Sequence, residues 1–335
     1  MTDNITTQPR PDPRQINPHA YPIPHHPDAP PFFQQHPSQQ PIQHFQPAAI
    51  PQPPARPMNP LTRHFRQPTA YIRLTSNGQF WPEKSVEIPV TGELPVYPMT
   101  AKDEIILRTP DALMNGASVV QVIESCVPNI KNAWDMPSID VDSTLIAIRI
   151  ASYGQHMSVS AKCPHCGEEH DYDVDLHQVL NRIRMPNYES VIKTEDGLTI
   201  KLRPLTYLQV TKAGTTSFEE EKIIQSLNDD SLTEEKKKEV FASHMKKMLD
   251  VNFENLTNCT YSITTSDGIE VTEHNFIKEF YQNAKSAVSR QVETKVKEFA
   301  EEVSIKAEDT LCTSCEQQFK LNIEFDYSRF FAKGS

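Results

Sequence analysis

Four of the six cysteines lie in two C-x-x-C pairs, Cys163 with Cys166 and Cys312 with Cys315. Cysteines at this spacing are typical of zinc knuckles, in which a short turn directs two sulfurs to one side of an ion. Two knuckles supply four thiolates, which complete a tetrahedral site and leave no open position for a substrate. We therefore predict one structural Zn²⁺ per chain, bound by these four cysteines, and no catalytic zinc.

The residues around the two pairs form an internal repeat. The stretch "CPHCGEEHDYDVDL" from Cys163 aligns without a gap with "CTSCEQQFKLNIEF" from Cys312. In both copies polar residues follow the cysteines, and apolar and polar residues then alternate as in a β-strand. This pattern predicts a split zinc ribbon whose two outgoing strands can pair. Because the two copies lie 149 positions apart (312 − 163), the residues between them are predicted to form an inserted module.

Two other interpretations of the cysteine pairs remain. A thioredoxin-like redox pair needs a C-x-x-C beside a βαβ unit, which this sequence does not show. Unrelated free thiols are the second interpretation, and the matched flanking residues argue against it. His165 and His170 lie close to the first pair, but they become candidate ligands only if one cysteine does not bind.

The two remaining cysteines, Cys126 and Cys259, lie in apolar surroundings. Free cysteine behaves as a small hydrophobic residue and is among the most buried residue types. Both are therefore predicted to be buried thiols without a ligand role.

The sequence contains no motif that carries catalysis. A Gly-rich phosphate loop, a G-x-S-x-G nucleophile elbow and an H-E-x-x-H metal motif are all absent. Acidic runs such as Glu219–Glu221 are typical of solvated helix surfaces. We therefore predict a protein that is not an enzyme and has no small-molecule substrate.

The charge of the chain disfavours nucleic acid and anionic membranes as partners. The formal net charge of the chain is −11. Residues 1–68 contribute about +2, so the rest of the chain has a net charge of about −13. Binding to phosphates depends mainly on lysine and arginine. No nucleic-acid partner is expected, although a zinc-ribbon nucleic-acid-binding or transcription-associated protein stays as the alternative, with "KKKE" at Lys236–Glu239 as a contributing feature.

No run of about 18 apolar residues is present, so we expect no membrane-spanning helix. The first residues, "MTDNITTQPRPDPRQ", lack the apolar region of a signal peptide. We therefore expect a reducing cytoplasm, where a C-x-x-C pair is more often a metal site than a structural disulfide.

Residues 1–68 differ in composition from the rest and contain 18 of the 28 prolines. Proline removes backbone donors and favours extended conformations, so this segment is predicted to be a disordered Pro/Gln/His-rich arm. It is either a spacer or a docking tail with phenylalanines as apolar anchors. These anchors would be Phe32, Phe33, Phe45 and Phe65.

The rest of the chain predicts an α+β fold: a split four-cysteine zinc-ribbon-like core with an inserted helical and hairpin module. We divide it into an N-terminal α+β part with the first knuckle (69–180), the inserted module (181–305) and the second knuckle with its closing strand (306–335). Strands are predicted from Tyr71 into a hairpin turn at Asn77-Gly78 and over "EIILRTP".

Several helices are predicted from apolar periodicity. One lies in "TPDALMNGASVVQVIESCVPN" with Pro110 in its first turn, and a buried one spans Asp140 to Gly154. Another opens with a capping box of Ser231 and Glu234, and its apolar face contains Phe241, Met245, Met248 and Leu249. A single long amphipathic helix from about Glu273 to Val303 is predicted to pack against it, with a face for partner binding or self-association as the alternative.

Two hairpins are predicted at Asp196-Gly197 and Asp267-Gly268, because Asp-Gly suits the tight turn between two strands. The flanking residues are β-branched, which favours strands on both sides of each turn.

The stretches "LPVYPMTAKDEIILRTPDALMNG" and "STLIAIRIASYGQHMSVSAKCPHCGEEHDYDVDL" resemble the T4-type bacteriophage baseplate hub assembly protein family. The resemblance spans about Leu94 to Ser335 and is most specific between Leu145 and Leu176. It implies a structural or assembly role in the baseplate hub of a contractile-tail myovirus, without catalysis. It also implies other hub or tail proteins as partners, with the host cytoplasm during assembly, or the virion tail baseplate, as the location.

Overall fold

The structure is a computed structural model that describes residues 59–109, 116–226, 233–323 and 330–331. It mixes helices and strands, which confirms the α+β class. The helices are α1 Ala101–Leu107, α2 Ala117–Cys126, α3 Ser138–Tyr153, α4 Leu176–Arg182, α5 Tyr207–Ser226, α6 Glu234–Cys259, α7 His274–Asn283 and α8 Ser286–Val303. The strands are β1 Ala70–Ile72, β2 Leu94–Val96, β3 His156–Lys162, β4 Glu169–Asp175, β5 Val191–Lys193, β6 Thr199–Leu202, β7 Thr260–Thr264, β8 Glu270–Val271, β9 Glu308–Leu311 and β10 Gln318–Leu321.

All strand pairs in the described residues are antiparallel. Three sheets have two strands each, β1–β2, β3–β4 and β9–β10, and one has four strands in the order β5-β6-β7-β8. Both predicted Asp-Gly hairpins are confirmed, and Gly197 and Gly268 take the positive φ (79° and 88°) that the tight turns require.

The described chain begins at Asn59, inside the stretch that the sequence analysis assigned to the arm. Arg66 donates hydrogen bonds to the carbonyl oxygens of Pro98 and Ser125, both at 2.7 Å, and forms an ion pair with Asp103 at 3.3 Å. The segment next to β1 is therefore attached to the folded part. Residues 1–58, including Phe32, Phe33 and Phe45, lie outside the described residues.

Helix α3 is the centre of the first half of the fold. Most of its side chains are buried, and Leu145, Ile146 and Ile148 are at most 1 % exposed. A helix that is apolar on nearly all sides must be covered on all sides, and α3 contacts α2, α4, α5 and the β1–β2 pair. It ends where it was predicted to end, at Gly154 with φ 92°.

The predicted hairpin at Asn77-Gly78 is wrong. Asn77 and Gly78 do take positive φ, but β1 pairs with β2, about twenty residues further along the chain. The buried carboxylate of Asp140 explains the difference, because it accepts hydrogen bonds from the Ser76 backbone and hydroxyl and from the Trp81 indole. These bonds hold the loop against α3, so the residues directly after Gly78 do not pair with β1.

The strand predicted over "EIILRTP" is also wrong, because Glu104–Leu107 lie in helix α1. Thr100 and Asp103 form a capping box at its start, with hydrogen bonds in both directions. The run is too short to show a helical period, so the apolar residues alone suggested a strand. Helix α2 starts after Gly116, which has φ 75°, and Pro110 lies outside the described residues.

The long helix predicted from about Glu273 to Val303 is two helices, α7 and α8. Ala284 and Lys285 between them have extended backbone, and the Lys285 ammonium pairs with Asp196 at 2.9 Å. The break allows Tyr281 and Val292, which are 2 % and 0 % exposed, to pack in the same core. The prediction that this region packs in the core is therefore correct.

Helix α6 is longer than predicted, and its N-cap residue is Thr233. Ser231 of the predicted capping box lies outside the described residues. The predicted apolar face is largely exposed, because α5 covers a different side of α6, where His244 is buried against Glu220. The exposed side chains are Phe241, Met245, Met248 and Leu249.

Two hydrophobic cores organise the described residues. The first core contains apolar residues of α2, α3, β3 and β4 together with β10 and the pair Phe330 and Phe331. The second core is built mainly from the four-stranded sheet and helices α6, α7 and α8. The two cysteine pairs belong to the first core, although almost the whole second core lies between them in sequence.

Candidate metal centre

Each cysteine pair occupies the turn of a hairpin, the first between β3 and β4 and the second between β9 and β10. In the first turn the Cys163 N–H donates to the Glu168 carbonyl (2.8 Å), and the Gly167 N–H donates to the Cys163 carbonyl (3.0 Å). In the second turn Cys312 donates to Gln317 (3.0 Å) and Glu316 donates to Cys312 (2.9 Å). The repeated sequence therefore folds into a repeated structure.

The four cysteine sulfurs converge and lie within 4.8 Å of one another. The Sγ atoms of Cys163 and Cys315 are 3.8 Å apart, and those of Cys166 and Cys312 are 3.6 Å apart. The first cysteine of each turn thus meets the second cysteine of the other turn. This exchange is what an approximate twofold relation between two knuckles produces.

The donor set suits a soft divalent metal ion. A tetrahedral site with metal–sulfur distances of ~2.3 Å has neighbouring sulfurs about 3.8 Å apart. The two shortest observed separations, 3.6 and 3.8 Å, match this edge. The four cysteines could therefore hold a metal ion with small adjustments of their side chains.

Burial differs between the two cysteines of each turn. Cys163 and Cys312 are both 1 % exposed and belong to the first core, whereas Cys166 is exposed and Cys315 is half-buried. The cluster is therefore anchored in the protein on one side and faces solvent on the other.

Hydrogen bonds and burial shift the pKa values of Cys312 and Cys166 in opposite directions. The backbone N–H of Cys315 lowers the pKa of the Cys312 thiol, and the bonds from Ser314 and the other thiols help to bring it to about 6. For Cys166, the backbone N–H of Glu168 acts to lower the pKa, but desolvation and the neighbouring thiols outweigh it and raise the pKa to about 12. Cys312 is therefore the first of these two thiols to ionise, and the thiolate is the form of cysteine that could bind a metal ion.

The two hairpins contact each other through aromatic side chains of the first core. The rings of Tyr172 on β4 and Phe319 on β10 form an edge-to-face contact with centroids 5.5 Å apart. The outgoing strands β4 and β10 do not pair with each other, contrary to the prediction, because each pairs with the strand that leads into its own turn. Side-chain packing, and not a shared sheet, therefore joins the two halves.

Two histidines that the sequence analysis treated as bystanders connect the turns without belonging to the sulfur cluster. His170 Nε2 lies 2.8 Å from the Ser314 hydroxyl, and His165 Nε2 lies 3.3 Å from the Gln318 carbonyl. Both contacts cross from the first hairpin to the second. Their only sequence signal was proximity to the first cysteine pair, which does not reveal a partner almost 150 residues away.

The remaining cysteines stay apart from this centre. Cys126 and Cys259 are buried, as predicted, and desolvation raises the pKa of each to about 12. Neutral thiols of this kind pack as small apolar groups.

No helix in the described ranges combines the length and apolar composition needed to cross a membrane.

The sequence model of the family described as T4 bacteriophage base plate protein matches residues 81–332, which is about three quarters of the chain. No curated protein and no solved structure matches this chain.

Proposed function

Because this chain belongs to the T4 bacteriophage base plate protein family, we propose that it is a non-enzymatic structural or assembly protein of the baseplate hub, held together by one structural zinc ion. Membership of the family supports a structural role in a phage tail and a location in the virion tail. The hub as the position within the baseplate, assembly in the host cytoplasm, and direct contacts with other hub or tail proteins are parts of the proposal.

The convergence of the four sulfurs is the observation that carries the zinc proposal. Cys163, Cys166, Cys312 and Cys315 would all be ligands, so no coordination position would remain for a substrate or an activated water. Such an ion stabilises the folded state directly, because its ligands converge only after folding. Zinc would therefore join two distant parts of the chain.

The two cores support the proposed division into a split ribbon and an insertion. Residues 69–180 and 306–335 would form the ribbon part, and the first core draws most of its members from them. Residues 181–305 would form the inserted module, and they contribute most of the second core. The cysteine cluster would join the two parts of the ribbon that lie before and after the module in the chain.

The surface charge disfavours the nucleic-acid alternative. The exposed face of β4 carries Glu169, Asp171 and Asp173, which alternate with buried residues along the strand. A row of carboxylates next to the knuckle repels phosphate groups. A ribbon that binds nucleic acid would need the opposite sign at this position.

Metal analysis of the purified full chain tests the zinc proposal. We expect one zinc per chain in the parent and none in the double variant Cys312→Ser/Cys315→Ser. The matched control is Cys126→Ala, which removes a buried thiol outside the cluster and should keep the zinc. A parent prepared without chelator that contains no zinc would refute the structural zinc.

A phage that carries a conditional mutation in this gene tests the hub proposal separately. Without the protein, we expect central hub complexes to be missing while the outer parts of the baseplate still form. Normal hubs under these conditions would contradict the proposal, whatever the metal content.

A further inference from the structure

A groove of about 450 Å³ lies between β1 with the residues that follow it and helix α4 with the residues that follow it. Tyr71, Arg73 and Thr75 line one side, and His177 and Arg184 line the other. Ser143 of α3 also lines it, and the Thr75 hydroxyl donates a hydrogen bond to the Ser143 hydroxyl. The groove is separate from the cysteine cluster and from every feature used in the proposed function.

Strand β1 presents an unpaired edge. Tyr71 lies opposite Pro95 in the β1–β2 pair, and proline has no N–H to donate. In an antiparallel ladder this makes Tyr71 and Pro95 a pair without direct hydrogen bonds, so the Tyr71 N–H and C=O point away from β2. No other described strand pairs with β1, so these groups are placed to bind an added strand.

The chain stays extended beyond β1. Exposure alternates over four residues, with Tyr71 and Arg73 exposed and Ile72 and Leu74 buried. Because a strand rises ~3.3 Å per residue, the wall from Tyr71 to Leu74, where a turn begins, is about 10 Å long. That length suits a short extended segment rather than a helix laid across the groove.

The charge of the groove is opposite to that of the chain. Arg73 and Arg184 line it, and no carboxylate is among its lining residues, although the chain as a whole carries −11. Arg73 forms an ion pair with Glu93 at 3.6 Å, but both side chains are at least half exposed. Exposed pairs of this kind contribute little stability and can exchange partners.

We propose that this groove is a docking site for an extended acidic segment of a partner protein, which adds as a strand to the free edge of β1. Main-chain hydrogen bonds to Tyr71 would provide the strand pairing. Carboxylates of the segment would face Arg73 and Arg184, and this contact would make the groove prefer acidic segments. This mode needs neither the metal nor the hub assignment, so its test is independent of both.

Fluorescence anisotropy with the full-length protein, as purified, tests the proposal. The probe is a fluorescein-labelled model peptide of alternating valine and glutamate, compared with matched peptides that contain lysine or glutamine in place of glutamate. We expect the glutamate peptide to bind at least about tenfold more tightly than the lysine peptide at low salt, with the difference reduced at high salt.

Two pairs of variants test the preference for an acidic peptide and the addition of the peptide as a strand separately. Arg184→Glu should weaken the glutamate peptide about tenfold, whereas Arg290→Glu, an exposed charge on α8, should not change binding. Tyr71→Pro removes the N–H that faces away from β2 and should weaken binding several-fold, whereas Tyr71→Thr keeps that N–H and should not. Circular dichroism and a thermal unfolding midpoint close to that of the parent confirm that each variant is folded.

Three outcomes would overturn the proposal. The first is no binding of the glutamate peptide, or equal binding of the lysine peptide. The second is binding that survives Tyr71→Pro, because the segment would then not add as a strand. The third is a parent protein that dimerises in sedimentation experiments and loses its dimer on Arg184→Glu, because the occupant would then be a second copy of this chain.

Discussion

The two cysteine hairpins have the same turn but different surroundings. The first is carried by seven-residue strands, β3 and β4, and the second by four-residue strands, β9 and β10. Both turns have the same two hydrogen bonds and bury the first cysteine. The turn is therefore set by the cysteines and their immediate neighbours, and strand length varies without changing it.

The clearest difference lies at one equivalent position of the two turns. Gly167 has φ 80° in the first turn, and Glu316 has φ 55° in the second. A glutamate rarely takes this left-handed conformation, because its Cβ crowds the backbone, whereas glycine takes it freely. The second hairpin thus reaches the same geometry with shorter strands and a less suitable residue, so we expect it to be the weaker half of the pair.

Removal of one ligand has the largest expected effect and tests whether the halves depend on each other. We expect Cys163→Ser and Cys312→Ser each to lose the metal and to loosen both hairpins together, because one ion would join them. Limited proteolysis with mass spectrometry should show cleavage about tenfold faster in both segments. Cys126→Ala is the control, and equal protease resistance of parent and variants would show that the hairpins are independent of the metal.

The aromatic contact between the hairpins gives the next largest effect. Phe319→Ala removes a 9 %-exposed ring from its contact with Tyr172 and should lower the free energy of unfolding by about 3 kcal/mol. Phe319→Leu keeps most of the apolar volume and should cost roughly half as much. Urea unfolding measures both, and a loss below ~1 kcal/mol for alanine would mean that the interface is not well packed.

Substitutions at the left-handed position compare the two turns directly. Gly167→Ala should destabilise the protein by about 1 kcal/mol through the backbone alone, because the added Cβ meets nothing closer than 3.8 Å, at Lys162 Cε. Glu316→Gly should stabilise it by roughly 0.5 kcal/mol, since the strain is relieved but the unfolded chain gains freedom. Thermal unfolding that shows the same sign for both changes would disprove the proposed asymmetry.

The histidine contacts are expected to contribute least. His170→Ala removes the solvent-exposed contact with Ser314 and should lower the free energy of unfolding by no more than about 0.5 kcal/mol. His165→Ala, whose contact with Gln318 is longer at 3.3 Å, should cost less. Zinc content should stay at the parent level in both, and a loss of zinc in either variant would identify that histidine as a ligand.

Many features of the candidate site could be predicted from short stretches of the sequence. The cysteine spacing, the alternation after each pair and the two Asp-Gly turns are signals that act over a few residues. Helix α3 was also predicted well, because its apolar run is long and ends in a glycine that can take a positive φ. Local conformational preferences decide such features, so the sequence alone contains them.

The tertiary structure alone decided how distant parts are combined. The buried Asp140 accepts hydrogen bonds from Ser76 and Trp81, and these bonds fix a loop where a hairpin was predicted. The second core requires a break between α7 and α8. Strands β4 and β10 pair within their own hairpins, and Tyr172 meets Phe319 across the interface. The sequence determined which residues could bind a metal ion and how each turn is built. Packing between residues far apart in the chain determined that the two turns meet, because no local preference specifies which buried surfaces cover each other.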